Sequence, residues 1–297
     1  MNILITGGTG LVGRALCKKL ESCGHEVRVL TRSKNQKENH YHWDVAQKQI
    51  DEKAFVNLNC IIHLAGASIS KRWTEEYKKE LFSSRIDSAN FLFDICKEKN
   101  IHLKSFISAS GINFYGTFTS DKILKESDGV IERDFLAQLS DDWEDAADQF
   151  MPIADRVMCL RTAMVLARED GAFPLLKKTV DFNLGSAVGS GKQWMNWIHL
   201  DDLVQMYVDS VENEVINGKI NAVAEETVTN KTFMRKLAEA SDKLFLPVNV
   251  PDFILKLALG EMSSIILKGT RASNDKIQSL GFKFKYPQLQ KAFQDLV

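Results

Sequence analysis

The feature that most constrains this chain is a run of glycines directly after a short apolar segment near its start. Ile3-Leu4-Ile5 predicts a buried strand, and Gly7, Gly10 and Gly13 follow it at the spacing of a tight strand-to-helix turn. Apolar residues then recur at helical spacing as far as Gly24, which is typical of a helix C-terminus. This order predicts a parallel α/β unit whose helix N-terminus faces a bound phosphate group.

The rest of the chain repeats this alternation of strand and helix. Apolar runs predict sheet strands at residues 2–6, 26–31, 60–64, 104–108 and 157–161, and a long charged helix is expected at about 74–99. Continuous apolar strands separated by helices indicate a sheet that is covered on both faces. The expected fold class is therefore α/β, with a Rossmann-type doubly wound parallel sheet and a smaller C-terminal lobe.

The glycine segment is expected to hold a dinucleotide. Glycine allows backbone N–H groups to approach a pyrophosphate closely, and the helix N-terminus favours its negative charge. A tight turn without a ligand is the alternative interpretation. The predicted contacts from this segment are Gly7, Thr9, Gly10, Leu11, Val12 and Gly13.

The end of the second predicted strand indicates which dinucleotide is bound. An acidic side chain there would accept hydrogen bonds from the ribose hydroxyls of NAD, but this chain has Thr31 and Arg32. A guanidinium cannot accept those protons, whereas its planar fork suits a 2′-phosphate. NADP(H) is therefore predicted over NAD(H), with a solvated loop arginine as the alternative.

Composition excludes several other classes of protein. Lys and Arg number 38 against 39 Asp and Glu, so the chain has no basic surface suited to nucleic acid or to an anionic membrane. The five cysteines are scattered and no signal peptide is recognisable, which together predict a cytoplasmic location. No apolar stretch is long enough for a membrane span. The histidines at 40 and 42 lack a third ligand, so no metal is expected.

Further motifs resemble those of the extended short-chain dehydrogenase/reductase superfamily. Four segments carry this resemblance: residues 6–13, His63-Leu64-Ala65-Gly66, Ser108-Ala109-Ser110 and Tyr115-Gly116. Other segments resemble more narrowly its atypical "epimerase family protein" branch, which has a C-terminal domain of unknown function. They are Arg72-Trp73, Ser84-Arg85, Trp143-Glu144, Arg161-Thr162, Gly189-Ser190-Gly191, residues 197–202, Gly260-Glu261-Met262-Ser263 and residues 281–284.

The resemblance implies that NADP(H) lies in a groove of a Rossmann fold. It places one group of residues on the adenine-ribose side, a charged pair on the long helix near the phosphates or ribose, and one residue at the nicotinamide end. A solvated helix face is the alternative for the charged pair. The residues on the adenine-ribose side are Leu64, Ala65 and Gly66. The charged pair is Glu80 and Arg85, and the residue at the nicotinamide end is Val165.

The chain departs from the superfamily where catalysis is concerned. Active members use a Ser, a Tyr and a Lys four residues after the Tyr, but no Tyr in this chain is followed by such a Lys. Leu139 and Trp143 stand at the positions of that pair. Ser110 remains, and Tyr115 is the nearest candidate proton donor or base. Because an unassisted phenol has a pKa of about 10, packing within the loop is the alternative role for Tyr115.

These observations give a domain division and two candidate functions. The NADP-binding Rossmann domain is predicted at 1–170, with a later strand and helices from 196–240. The substrate lobe is predicted at 171–195 and 241–297. The chain is expected to be an oxidoreductase or epimerase acting on an unidentified small molecule, as a monomer or homodimer. The alternative is a catalytically silent NADP(H)-binding sensor.

Overall fold

The computed structural model describes residues 1–34 and 37–297. Its strands are β1 (Asn2–Thr6), β2 (Glu26–Thr31), β3 (His40–Asp44), β4 (Gln49–Ile50), β5 (Cys60–His63), β6 (Ser105–Gly111), β7 (Ile123–Leu124), β8 (Val157–Thr162), β9 (Met164–Leu166), β10 (Ser186–Val188), β11 (Trp194–Met195), β12 (Trp197–His199), β13 (Gly218–Ala222), β14 (Val228–Thr229), β15 (Leu246–Val250) and β16 (Arg271–Ala272).

The helices alternate with these strands through most of the chain. They are α1 (Leu11–Ser22), α2 (Glu75–Ser83), α3 (Ile86–Glu98), α4 (Phe135–Asp148), α5 (Phe173–Asp181), α6 (Leu200–Glu212), α7 (Asn230–Ala240), α8 (Asp252–Leu259), α9 (Ser264–Leu267), α10 (Asp275–Ser279) and α11 (Leu289–Leu296). None of the helices in the described residues is long and apolar enough to cross a membrane.

Eight strands form one sheet in the order β13-β8-β6-β5-β1-β2-β3-β4. All neighbours in this sheet run parallel except β3 and β4. In register, Ile3 of β1 lies between Val27 of β2 and Cys60 of β5. The five strands predicted from the sequence all belong to this sheet, which confirms the α/β fold class with a Rossmann-type doubly wound arrangement.

Helices cover both faces of the sheet. On one face Leu16 and Leu20 of α1 and Met206 of α6 pack with the sheet residues, and Phe282 and Phe284 near the C-terminus join them. On the other face α3 and α4 pack against the sheet, with their apolar residues in a second core. Apolar side chains that alternate between the two faces of each strand supply both cores.

The prediction of one long helix at about 74–99 is wrong, because the structure has two helices there, α2 and α3. Thr74 caps α2 by accepting the N–H of Tyr77. The helix is interrupted at Ser84 and Arg85, whose side chains bond to backbone groups inside and outside the helix: Ser84 Oγ accepts from Ala67 N, and Arg85 Nη1 donates to Leu81 O. Side chains that compete for backbone partners in this way interrupt a helix.

The C-terminal region attaches to the sheet through short strand pairs. β12 pairs with β9 next to the end of β8, and β16 pairs with β7 beyond β6. A third core joins Phe173 of α5, Phe233 of α7 and Phe293 of α11. The two predicted lobes thus share a core, and their boundaries stay a prediction.

Candidate functional site

The glycine turn between β1 and α1 is closed so tightly that side chains do not fit. A Cβ at Gly7, where φ is +70°, would lie 2.7 Å from the carbonyl oxygen of Leu64, and one at Gly13 would lie 2.2 Å from that of Gly7. Gly10 caps α1 without a side-chain acceptor. Since a helix leaves its first N–H groups without internal acceptors, those of residues 11–13 stand at this turn.

Thr6 joins the glycine turn to the next strand. Its Oγ1 accepts the backbone N–H groups of Leu64 and Ala65, at 3.1 and 3.0 Å. Residues 64–66 are therefore held at the carboxyl edge of the sheet, directly beside the glycine turn. Sequence reasoning gave Thr6 no role beyond its place in the motif, and its position at the end of β1 was the available signal.

Arg85 is a buried cation at the same edge. Its guanidinium donates to Leu81 O at 3.1 Å and Ala67 O at 2.9 Å, and a Cβ at Gly66 would lie 2.9 Å from its Cζ. No carboxylate in residues 1–34 or 37–297 forms an ion pair with it. Burial lowers the pKa of Arg85 to about 10. Glu80 stands exposed on α2. The proposed cofactor contacts of both residues stay predictions.

The end of β2 presents Arg32 to solvent. Thr31 Oγ1 accepts the N–H of Ser33 at 3.1 Å and shapes the turn that follows the strand. Arg32 is exposed, and its guanidinium has no ion-pair partner within the described part of the chain. Because β2 is the sheet neighbour of β1, Arg32 lies at the same carboxyl edge as the glycine turn.

Val165 is brought near the N-terminus of α1. It lies in β9, which pairs with β12. A Cβ at Gly171 would lie 3.8 Å from the carbonyl oxygen of Val165 and 3.5 Å from the Leu11 side chain. The segment after β9 therefore passes close to the start of the first helix.

Ser110 belongs to a buried polar network rather than to an open cleft. Its hydroxyl donates to Glu144 Oε1 at 2.7 Å. Arg161 holds the same carboxylate at both oxygens, from Nε at 2.8 Å and Nη2 at 2.9 Å. Since an ionised carboxylate only accepts hydrogen bonds, the Ser110 proton must point towards Glu144. Sequence reasoning missed this role of Glu144, which appeared there only as part of a matching motif.

Tyr115 is held by the same network and is fully buried. Its hydroxyl donates to Asn221 Oδ1 at 2.8 Å and accepts from Arg161 Nη1 at 3.0 Å. Burial raises the pKa of Tyr115 while Arg161 opposes the shift. The hydroxyl therefore has both a donor and an acceptor partner inside the protein. No signal in the sequence pointed to Asn221.

Leu139 and Trp143, which the resemblance places at the positions of the superfamily's Tyr and Lys, have no proton of suitable pKa to exchange. Leu139 is buried in an apolar cluster. The Trp143 indole N–H donates to His63 Nδ1 at 3.2 Å, and the Arg85 guanidinium lies 4.9 Å from the centre of the indole. Trp143 thus covers a buried cation.

His63 links three elements beneath this site. Because Trp143 donates to Nδ1, the proton of the neutral ring lies on Nε2, which is 2.8 Å from Ser88 Oγ. Ser88 in turn donates to the carbonyl of Ser84 at 2.7 Å. Burial, aided by the charge of Arg85, lowers the pKa of His63 to about 3. The ring is therefore neutral in the folded protein near pH 7.

Comparisons with known proteins agree with this geometry. The model of the NAD-dependent epimerase/dehydratase family matches residues 3–132, and that of a domain of unknown function matches residues 250–296. An epimerase family protein of Staphylococcus aureus is 35% identical over 300 residues, which cover 99% of this chain and 98% of the relative. The chain belongs to the epimerase family.

Two solved structures extend the likeness of this epimerase family chain. The human epimerase family protein SDR39U1, crystallised with NADPH, covers 100% of this chain and 99% of its own, at 26% identity and a TM-score of 0.88. A nucleoside-diphosphate sugar epimerase from Corynebacterium glutamicum is 30% identical with a TM-score of 0.81, covering 99% of this chain and 57% of its own. The family assignment, with its atypical short-chain dehydrogenase/reductase fold, matches the resemblance seen in the sequence.

Proposed function

We propose that this epimerase family chain binds NADP(H) at the carboxyl edge of β1, β2 and β5. The observation that carries the proposal is the glycine turn: a Cβ at Gly7 or Gly13 would clash with backbone atoms, so only glycine allows the tight turn that a pyrophosphate-binding loop requires. The N–H groups of residues 11–13 would hold the pyrophosphate. Residues 64–66 would line the adenine-ribose side, and Val165 would face the nicotinamide end.

Two cations support a phosphorylated ligand at this edge. Arg32 is exposed at the end of β2 without an ion-pair partner among the described residues, where it would hold a 2′-phosphate. Arg85 is buried without a carboxylate in that same part of the chain, so an anionic or hydroxyl-rich ligand would satisfy its remaining N–H groups. NADPH in the human relative is consistent with this choice of dinucleotide.

The polar network favours binding without turnover. A bound nicotinamide supplies a hydride donor or acceptor, but reduction of a carbonyl also requires a proton at the reacting oxygen. The proton of Ser110 is directed to Glu144 and that of Tyr115 to Asn221. The preferred function is therefore an NADP(H)-binding module without turnover.

One observation favours a second candidate, an NADP(H)-dependent oxidoreductase or epimerase acting on a small molecule. Ser110 Oγ has Glu144 as its hydrogen-bond partner among the described residues, so a lone pair stays available. It would accept a hydrogen bond from a substrate hydroxyl, which favours an alcohol over a carbonyl at this position. Ser110 would then orient the substrate, with Tyr115 as the nearest candidate acid or base.

Calorimetry of the full chain with NADPH and NADH tests the binding proposal. We expect NADPH to bind about 10- to 100-fold more tightly, because a charge-assisted contact to the 2′-phosphate is worth roughly 1.5–3 kcal/mol. Equal affinities, or no binding of either nucleotide, would overturn it. Hydride transfer to a panel of carbonyls and sugar nucleotides separates the two candidates: turnover of any of them supports the oxidoreductase.

A further inference from the structure

Helix α8 is apolar but buries none of its side chains. Six of its eight residues are Phe, Ile, Leu or Ala, with Asp252 and Lys256 as the exceptions. Leu257 is 83% exposed and Phe253 is 68% exposed. A helix with so large an apolar surface is normally covered by other protein, and eight residues are far too few to span a membrane. Apart from Leu255 and Leu259, which are half-buried, the helix therefore lacks a cover in the single chain.

Exposed apolar residues continue from α8 onto the elements that precede it. β15 leads into α8 through Pro251, and it pairs with β10, with Leu246 N donating to Gly185 O at 2.8 Å. Leu246 and Val248 lie in this strand, and both are exposed. We call this region the C-terminal apolar surface; it comprises Phe182, Leu184, Leu244, Leu246, Val248, Phe253, Ile254 and Leu257.

The area of this surface matches that of a stable interface. Each of its side chains exposes on the order of 100 Å², so the set would bury roughly 800 Å² per chain, as each partner does in a standard complex. The surface is thus large enough to bind a partner through apolar contacts.

Charge at the surface favours a second copy of this chain as the partner. On α8 the charges of Asp252 and Lys256 offset each other, so two copies that meet there face no net repulsion. Helices that bind membranes have a polar face rich in Lys and Arg, which α8 lacks. A strongly charged partner would find no complementary charge. An apolar surface is complementary to itself, as a two-fold symmetric contact requires.

We propose that the C-terminal apolar surface is the interface of a homodimer. The two copies pack side chain against side chain rather than joining their sheets. Leu246 N points to β10, so Pro247 faces the free edge of β15 and offers no N–H for a further strand. The proposal does not depend on the bound nucleotide.

Sedimentation equilibrium of the full chain from about 1 to 100 µM tests the proposal. We expect a mass twice that of the 33.5 kDa chain. Leu257→Glu and Phe253→Glu would each bury an unpaired carboxylate in the interface and weaken dimerisation by about 100-fold or more. The control is Val215→Glu, at a residue that is 71% exposed outside the surface, and it should leave the dimer intact. Circular dichroism confirms that each variant is folded.

Several results would overturn the dimer. A wild-type chain that is monomeric at the highest concentration would do so, as would folded α8 variants that dimerise as well as the control. Flotation with vesicles of phosphatidylcholine and phosphatidylserine tests whether a lipid membrane, rather than a second copy of the chain, binds this surface. A monomer that floats with these vesicles, and loses this binding in Leu257→Glu, would identify a membrane-binding surface instead.

Discussion

At the residue scale, the buried pair of Glu144 and Arg161 organises the hydroxyl groups around it. Arg161 donates to both carboxylate oxygens and to the Tyr115 oxygen, and its guanidinium lies 3.4 Å from the centre of the Phe114 ring. An isolated buried charge would be costly, whereas here each charge has the other as its partner and further hydrogen bonds to Ser110 and Tyr115. Ser110 and Tyr115 are therefore held in fixed orientations by a structural ion pair.

Tyr115→Phe is expected to destabilise the protein by about 1–3 kcal/mol, because it leaves Asn221 Oδ1 and an Arg161 N–H without their partner. Urea denaturation measures this loss. Tyr41→Phe is the matched control, since the Tyr41 hydroxyl has no hydrogen-bond partner among the described residues. NADPH affinity should stay the same in both variants.

A Tyr115→Phe protein as stable as the Tyr41→Phe control would contradict the closed network. Activity gives an independent readout. If a substrate is found, a loss of about 100-fold or more in rate with unchanged nucleotide affinity would identify Tyr115 as the acid or base. Full activity in the variant would exclude that role.

Arg32→Ala is expected to weaken NADPH binding by about 10- to 100-fold and to leave NADH binding unchanged, because only NADPH has a 2′-phosphate. Calorimetry with both nucleotides measures the change. Arg235→Ala, at an exposed arginine of α7, is the control and should bind both nucleotides as the wild type does. A preference for NADPH that survives in Arg32→Ala would refute the assignment.

At the scale of single elements, the turn between β1 and α1 combines close backbone contacts with an open helix N-terminus. Gly10 N donates to Gly7 O at 3.0 Å, which closes the turn, and Arg14 N donates to Gly10 O as the first helical bond. The backbone N–H groups of residues 11–13, which take part in neither bond, remain available to a ligand. Any side chain that opens the turn should therefore abolish nucleotide binding.

Gly13→Ala tests this turn. Its Cβ would lie 2.2 Å from Gly7 O and 2.6 Å from the Cα of Gly8, and both are backbone atoms that cannot rotate away. We expect NADPH affinity to fall by at least about 100-fold in calorimetry. Gly129→Ala is the control, since its Cβ would meet nothing within 4 Å. An unchanged affinity in Gly13→Ala would show that the turn does not bind the pyrophosphate.

At the scale of the whole molecule, His63 connects β5, α3 and α4 through its bonds with Ser88 and Trp143. The ring is neutral when folded, because its pKa is lowered to about 3, but it titrates near 6.5 when unfolded. Below pH 6.5 the unfolded chain binds a proton that the folded chain does not. The contribution of His63 to stability is thus full above pH 6.5 and is lost progressively as the pH falls towards 3.

The free energy of unfolding should therefore fall between pH 6.5 and 5, with a slope from His63 of at most about 1.4 kcal/mol per pH unit. Urea denaturation of the wild type and of His63→Gln over this range measures the difference in slope. The variant should be less stable at pH 7.5 but lose less stability on acidification. Parallel curves for the two proteins would contradict a buried neutral His63.

Features encoded by local spacing could be predicted from the sequence. The glycine turn and the five strands of the parallel sheet depend on residues close together in the chain, where hydrophobic periodicity and turn chemistry act directly. Arg32 at the end of β2 follows from the same reasoning. The missing Tyr–Lys pair was also visible, because it is a matter of four-residue spacing.

The environment of the candidate catalytic residues depends instead on contacts between distant parts of the chain. Tyr115 meets Asn221 across 106 residues, and Trp143 meets His63 across 80. No local pattern specifies which buried donor finds which acceptor, since packing of α4 on the sheet decides it. The interruption of the helix at Arg85 has the same origin, because Ala67 O on another segment accepts its guanidinium. Long-range packing thus gives the hydroxyl groups of Ser110 and Tyr115 partners inside the protein, which the local motifs could not predict.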